Sequence, residues 1–101
     1  VLGETLDGRS DVYALALVAY EMFTGGLPFE GNTPERKLTA RLIQDPKPLA
    51  ATAPDVAWPE ALQATFDRAL EREPDARTAT ALEFADALVA AVELWLGGSV
   101  L

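Results

Sequence analysis

The charged side chains that could do chemistry in this 101-residue chain are carboxylates and a few cations, because the sequence contains no histidine, and it has no cysteine either. Without histidine the commonest general base and metal ligand is gone. Without cysteine there is no thiolate nucleophile, disulfide or zinc-thiolate site. The carboxylates that remain sit in informative places. Asp11 heads the apolar run DVYALALVAYEMF, residues 11–23, and Glu21 is the only other charge in it. By residue type alone, Asp11 complements the positive end of a helix, worth about 0.3 to 1 kcal/mol, and Glu21 is a solvated side chain. Glu71 and Asp75 form a carboxylate pair, but they flank a predicted helix end and read as solvated charge, not as a glycosidase pair or a metal cluster. Arg77 follows them in the stretch EPDAR, residues 73–77. No catalytic, cofactor-binding or metal-ligating residue is assigned.

The elements that position these residues are helices. A chain of this length holds one domain, residues 1–101, with a thin core that buries roughly 60 to 70% of the surface its unfolded form exposes. Ser10 is a candidate N-cap for a helix over about 10–24, which Gly25-Gly26 closes. Thr33-Pro34-Glu35 supplies a cap, a proline at the first helical position and an acid for the dipole, predicting a second helix over about 33–44 with Leu38, Leu42 and Ile43 as its apolar stripe. Residues 45–59 hold four prolines and read as an extended connection. A third helix is predicted over about 59–73, burying Leu62, Phe66, Ala69 and Leu70. A fourth, over about 80–96, starts at a Thr80…Glu83 capping box, buries Phe84, Ala85, Leu88, Val92 and Trp95, and ends at Gly97-Gly98. The fold class is all-α, with four main helices.

Net charge narrows the partners. Sixteen acidic residues against eight basic ones leave −8, which repels nucleic-acid backbones and anionic lipid, so proteins are the expected partners. The apolar run is shorter than the about 20 residues that span a bilayer. The sequence opens without a basic n-region, so a cytoplasmic location is expected. It also lacks an initial methionine, consistent with processing or with excision from something longer. A helix that is apolar on every side has to be surrounded by protein. The other helices predicted here are few for that, so the helix at 10–24 is expected to need a covering partner, either a second chain or an absent part of its own.

Three blocks in order now point to a family. DGRSDVYAL (7–15), YEMFTG (20–25) with PFEG (28–31), and ALEREPDAR (69–77) followed by Thr80 and EFADAL (83–88) resemble the eukaryotic-like (Hanks-type) serine/threonine protein kinases of bacteria. The resemblance covers only the C-terminal part of the catalytic domain's C-lobe. It implies that the helix at 10–24 is the buried central helix of that lobe. Asp11 would accept hydrogen bonds from backbone amides of the catalytic loop, and Val18 and Met22 would anchor stacked side chains running toward the adenine pocket. Arg77 would pair with the glutamate that ends the activation segment. Glu21, Leu38 and Leu42 are candidate substrate-docking residues. Small departures accompany the match: Ala16 stands where the family usually has glycine, Gly26-Leu27 precedes the Pro-Phe pair, and Thr78 follows Arg77.

The family's Gly-rich loop, strand lysine, His-Arg-Asp loop and Asp-Phe-Gly motif do not occur in this sequence. ATP and Mg²⁺ are therefore implied for an intact parent and not for this chain. The expected function is C-lobe scaffold and docking within a kinase that phosphorylates protein serine and threonine, the segment being inactive alone. The alternative is a freestanding helical interaction module or degenerate kinase remnant. Losing one partner of a buried charged pair costs about 3 to 5 kcal/mol, so the isolated chain is expected to be molten, oligomeric or rearranged.

Overall fold

A computed structural model describes residues 8–29, 33, 35–36 and 44–100, and among these it contains helices and no strand. The helices are α1 (Gly8–Thr24), the single turn α2 (Leu49–Thr52), α3 (Glu60–Ala69) and α4 (Ala81–Val100), with a 3₁₀ turn at Pro74–Ala76. The predicted all-α class holds.

α1 begins two residues before its expected cap, so Ser10 lies inside the first turn and does not cap it. Its far end is as predicted. Gly25 has φ of +80°, and its N–H donates to the Glu21 carbonyl at 2.8 Å, the single bond of an αL cap that glycine makes without a Cβ clash. The Thr24 hydroxyl donates to the Tyr20 carbonyl at 2.8 Å and accepts from the Gly26 N–H at 3.2 Å, so the exit is doubly held.

Of the helix expected over 33–44, the described residues show its start. The Arg36 N–H donates to Thr33 Oγ1 at 3.2 Å, as a threonine cap should. Leu38 and Leu42 lie outside the described residues. The connection at 45–59 is less uniform than its prolines predict, because Leu49–Thr52 forms a helical turn. That turn is stitched from outside: the Leu49 N–H donates to Gln63 Oε1 at 2.8 Å, and Thr52 Oγ1 lies 2.7 Å from the Tyr20 hydroxyl. One turn has too few internal hydrogen bonds to persist unaided.

α3 stops at Ala69, short of the predicted residue 73. Pro74 sets only the outer limit at residue 73, since it has no N–H to continue the ladder and disfavours helical geometry at the residue before it. The Arg68 carbonyl is taken instead by the Thr78 N–H at 3.3 Å. α4 starts as its capping box predicts, with the Glu83 N–H donating to Thr80 Oγ1 at 3.1 Å. It then runs through Gly97 to Val100 and does not end at residue 96. Glycine costs a helix only about 1 kcal/mol relative to alanine, too little to stop one by itself.

The core lies where α1, α3 and α4 meet. Val12, Ala16, Tyr20, Leu62, Phe66, Leu70 and Phe84 are buried there, with Leu49 from α2. Phe66 is its centre: its ring meets Tyr20 at 5.8 Å, Phe23 at 5.9 Å and Phe84 at 6.1 Å, each edge to face, the arrangement that aromatic quadrupoles favour. Ala16 is fully buried, so a methyl fits at this position. Trp58 and Trp95 pack against one another at 5.7 Å on the rim of the core.

Candidate functional site

Two features of this fold could serve a larger assembly, and both are built on α1. The first is a clasp centred on Arg77. Its Nε donates to the Glu71 carbonyl at 2.8 Å, Nη2 to the Arg72 carbonyl at 3.0 Å and Nη1 to the Arg9 carbonyl at 3.0 Å. The guanidinium also sits 4.8 Å from the centroid of the Tyr13 ring, within the range of a cation–π contact. A planar cation with donors on three sides can tie the segment after α3 to the first turn of α1, which an ammonium cannot do. The clasp thus joins residues 68 apart in sequence.

The second feature is the outer face of α1. Val12, Tyr13, Ala16, Ala19 and Tyr20 face the core, whereas Asp11, Ala14, Leu15, Val18, Glu21 and Met22 are exposed. Val18 and Met22 are 56% and 80% exposed. The helix that was expected to be surrounded by protein is therefore covered on one side and open on the other. The open side is apolar at its centre, with Asp11 and Glu21 near its two ends. Glu71 and Asp75 are exposed, as expected of charge at a helix end.

A third cluster was not visible in the sequence. The Tyr20 hydroxyl lies 2.9 Å from the Lys47 carbonyl oxygen, 3.2 Å from that of Pro48 and 2.7 Å from Thr52 Oγ1. Its one proton can serve a carbonyl while it accepts from Thr52. Burial raises the Tyr20 pKa above the usual 10.0, with the Thr52 hydrogen bond and the Lys47 charge opposing it. The Trp58 indole N–H donates to the Ala53 carbonyl at 2.9 Å, which closes the same connection on the other side. Among the described residues, no three acidic groups converge as a metal site would require, and no helix is long and apolar enough to cross a membrane.

Sequence and fold together place this chain with the bacterial eukaryotic-like serine/threonine protein kinases, as the counterpart of the C-terminal part of the catalytic domain's C-lobe. It is 37% identical over 91 residues to the serine/threonine-protein kinase Pkn1 of Myxococcus xanthus, covering 90% of this chain and 13% of that protein. It is 44% identical over 81 residues to the kinase PknB of Mycolicibacterium smegmatis, covering 80% of this chain and again 13% of the relative. The chain thus spans 13% of the length of these two relatives. The crystal structure of the Mycobacterium tuberculosis PknI kinase domain matches with a TM-score of 0.61 at 36% identity, over 86% of this chain and 29% of that one. No protein-family model matches the chain.

Proposed function

We propose that this segment is the helical base of a protein kinase whose intact form transfers the γ-phosphate of ATP, with Mg²⁺, to serine or threonine of protein substrates. One observation carries the reading: an apolar helix of a kinase-like C-lobe has Leu15, Val18 and Met22 open to solvent on a single face. A soluble fold rarely leaves such a stripe uncovered unless another surface belongs on it. In this reading the catalytic loop and the rest of the kinase domain lie over that face, and Asp11 at its head accepts backbone N–H groups from the loop. Val18 and Met22 support the side chains that reach toward the nucleotide, and Arg77 meets the end of the activation segment next to its own clasp.

The 101 residues themselves supply neither nucleotide-binding loop nor catalytic base, so the segment acts as scaffold and has no phosphotransfer activity alone. Leu38 and Leu42, with Glu21, are the positions through which it would touch a protein substrate. ATP as the donor puts this region in the cytoplasm. The test compares the full-length natural protein with the 101-residue chain, each given ATP, Mg²⁺ and a serine/threonine-containing protein such as casein. The reading requires transfer by the former and none by the latter. A natural product that consists of these residues alone, inactive with every substrate, would instead establish a freestanding helical module.

A further inference from the structure

The outer face of α4 has no role in the core, the clasp or the kinase reading above. Leu82, Val89 and Leu96 are 70%, 55% and 60% exposed. They recur every seven residues, so on an α-helix they form one stripe about 21 Å long. Along its core-ward edge run half-buried Ala85 and Val92. Leu82, Ala85, Val89, Val92 and Leu96 therefore keep the alternating three- and four-residue spacing of a seam between packed helices, with Val92 also packed against this chain's own core. Along its other edge run Asp86 and Glu93, both exposed and also seven apart. α4 contains no lysine or arginine.

Charge selects the occupant. In an antiparallel pairing of two copies, Asp86 would stand opposite Glu93, so self-association through this face is opposed by like charge. An anionic bilayer is repelled for the same reason. A helix with apolar residues at the seven-residue repeat and lysine or arginine along one flank satisfies both rows at once, because flanking charges choose partners in such seams. We propose that the outer face of α4 docks a basic amphipathic helix of a partner protein, with Leu82, Val89 and Leu96 as the apolar contact and Asp86 and Glu93 as the charge row. This inference does not depend on the kinase reading.

The test uses the full-length natural protein and a fluorescent synthetic helix of about three heptads, with leucine in the seam and lysine on the flanks. A matched peptide carries glutamate in place of lysine. Binding of the lysine peptide, read by fluorescence anisotropy, should weaken about tenfold or more in Val89→Asp, as expected when a central apolar anchor is lost. The double variant Asp86→Lys/Glu93→Lys should weaken the lysine peptide and gain about tenfold for the glutamate peptide. Circular dichroism checks the fold, and Leu82→Gln replaces Val89→Asp if the latter is unfolded. Several results would overturn the proposal. An affinity that is indifferent to position 89 means general attraction to an acidic protein. Self-association abolished by Val89→Asp assigns the face to a second copy. Val89→Cys that resists thiol labelling in the full-length protein assigns the face to the protein's own remaining chain.

Discussion

Arg77→Met is the most informative single change, because it removes every donor of the clasp and keeps the aliphatic stem. Two of the lost bonds, to the Glu71 and Arg72 carbonyls, are exposed, so water replaces the donor and each contributes about 0.5 kcal/mol. The bond to the Arg9 carbonyl is part-buried and charge-assisted, worth about 1.5 kcal/mol. The stack on Tyr13 adds about 0.5 to 1 kcal/mol. Together these amount to about 3 kcal/mol, and at 1.4 kcal/mol per factor of ten the local opening equilibrium rises about 100-fold. Hydrogen exchange by mass spectrometry on the full-length natural protein reads this directly, in peptides covering residues 68–80. Arg77→Lys keeps the charge but reaches about one of the three carbonyls, losing about 2 kcal/mol and speeding exchange about 30-fold. Exchange in Arg77→Met within about threefold of wild type, or Arg77→Lys as protected as wild type, would refute the clasp as a structural element.

Three further outcomes are expected. Tyr20→Phe leaves Thr52 and the Lys47 carbonyl short of a partner and should cost about 1 to 3 kcal/mol in urea unfolding. Because burial raises the Tyr20 pKa above 10.0, the unfolded chain loses its phenolic proton first. Stability should therefore fall as the pH rises past about 10, a loss that Tyr20→Phe lacks. Gly26→Ala would put a Cβ 2.9 Å from Thr52 Cγ2, an overpacking cost of about 1 to 3 kcal/mol. Thr52→Ser removes that methyl and keeps the oxygen that meets Tyr20, so Gly26→Ala should cost little in the Thr52→Ser background, and equal costs in both backgrounds would exclude the contact. In the full-length protein Val18→Asp and Met22→Asp should be strongly destabilising, because each puts a carboxylate on a face that other segments cover, and small effects there would count against a covered face.

Whatever depends on near neighbours is legible in the sequence. The spacing of Leu62, Phe66 and Ala69, and of Phe84, Leu88 and Val92, places the core faces of α3 and α4 because helical neighbours three and four residues apart share a side. Gly25 and Thr80 mark a helix end and a helix start through single hydrogen bonds that span a few residues. The composition of the chain, without histidine or cysteine and with a net charge of −8, determined which chemistries its residues lack. Resemblance singled out Arg77, but not the carbonyls it holds.

The tertiary structure decided everything that joins distant segments. Nothing in the order of residues pairs Arg77 with the Arg9 carbonyl, or Tyr20 with Lys47 and Thr52, since those contacts follow from how α1 lies across α3 and the connection before it. The helical turn at Leu49–Thr52 exists because Gln63 and Tyr20 reach it from elsewhere, which local propensity cannot report. The apolar run of α1 carries no signal for which face stays open, because a helix that is greasy all round has no preferred side until its neighbours are placed. The three blocks of sequence were enough to say which kind of protein this chain resembles. Packing alone chose the side of α1 that is open to solvent, because burial is a property of the assembled surface and not of the run of residues.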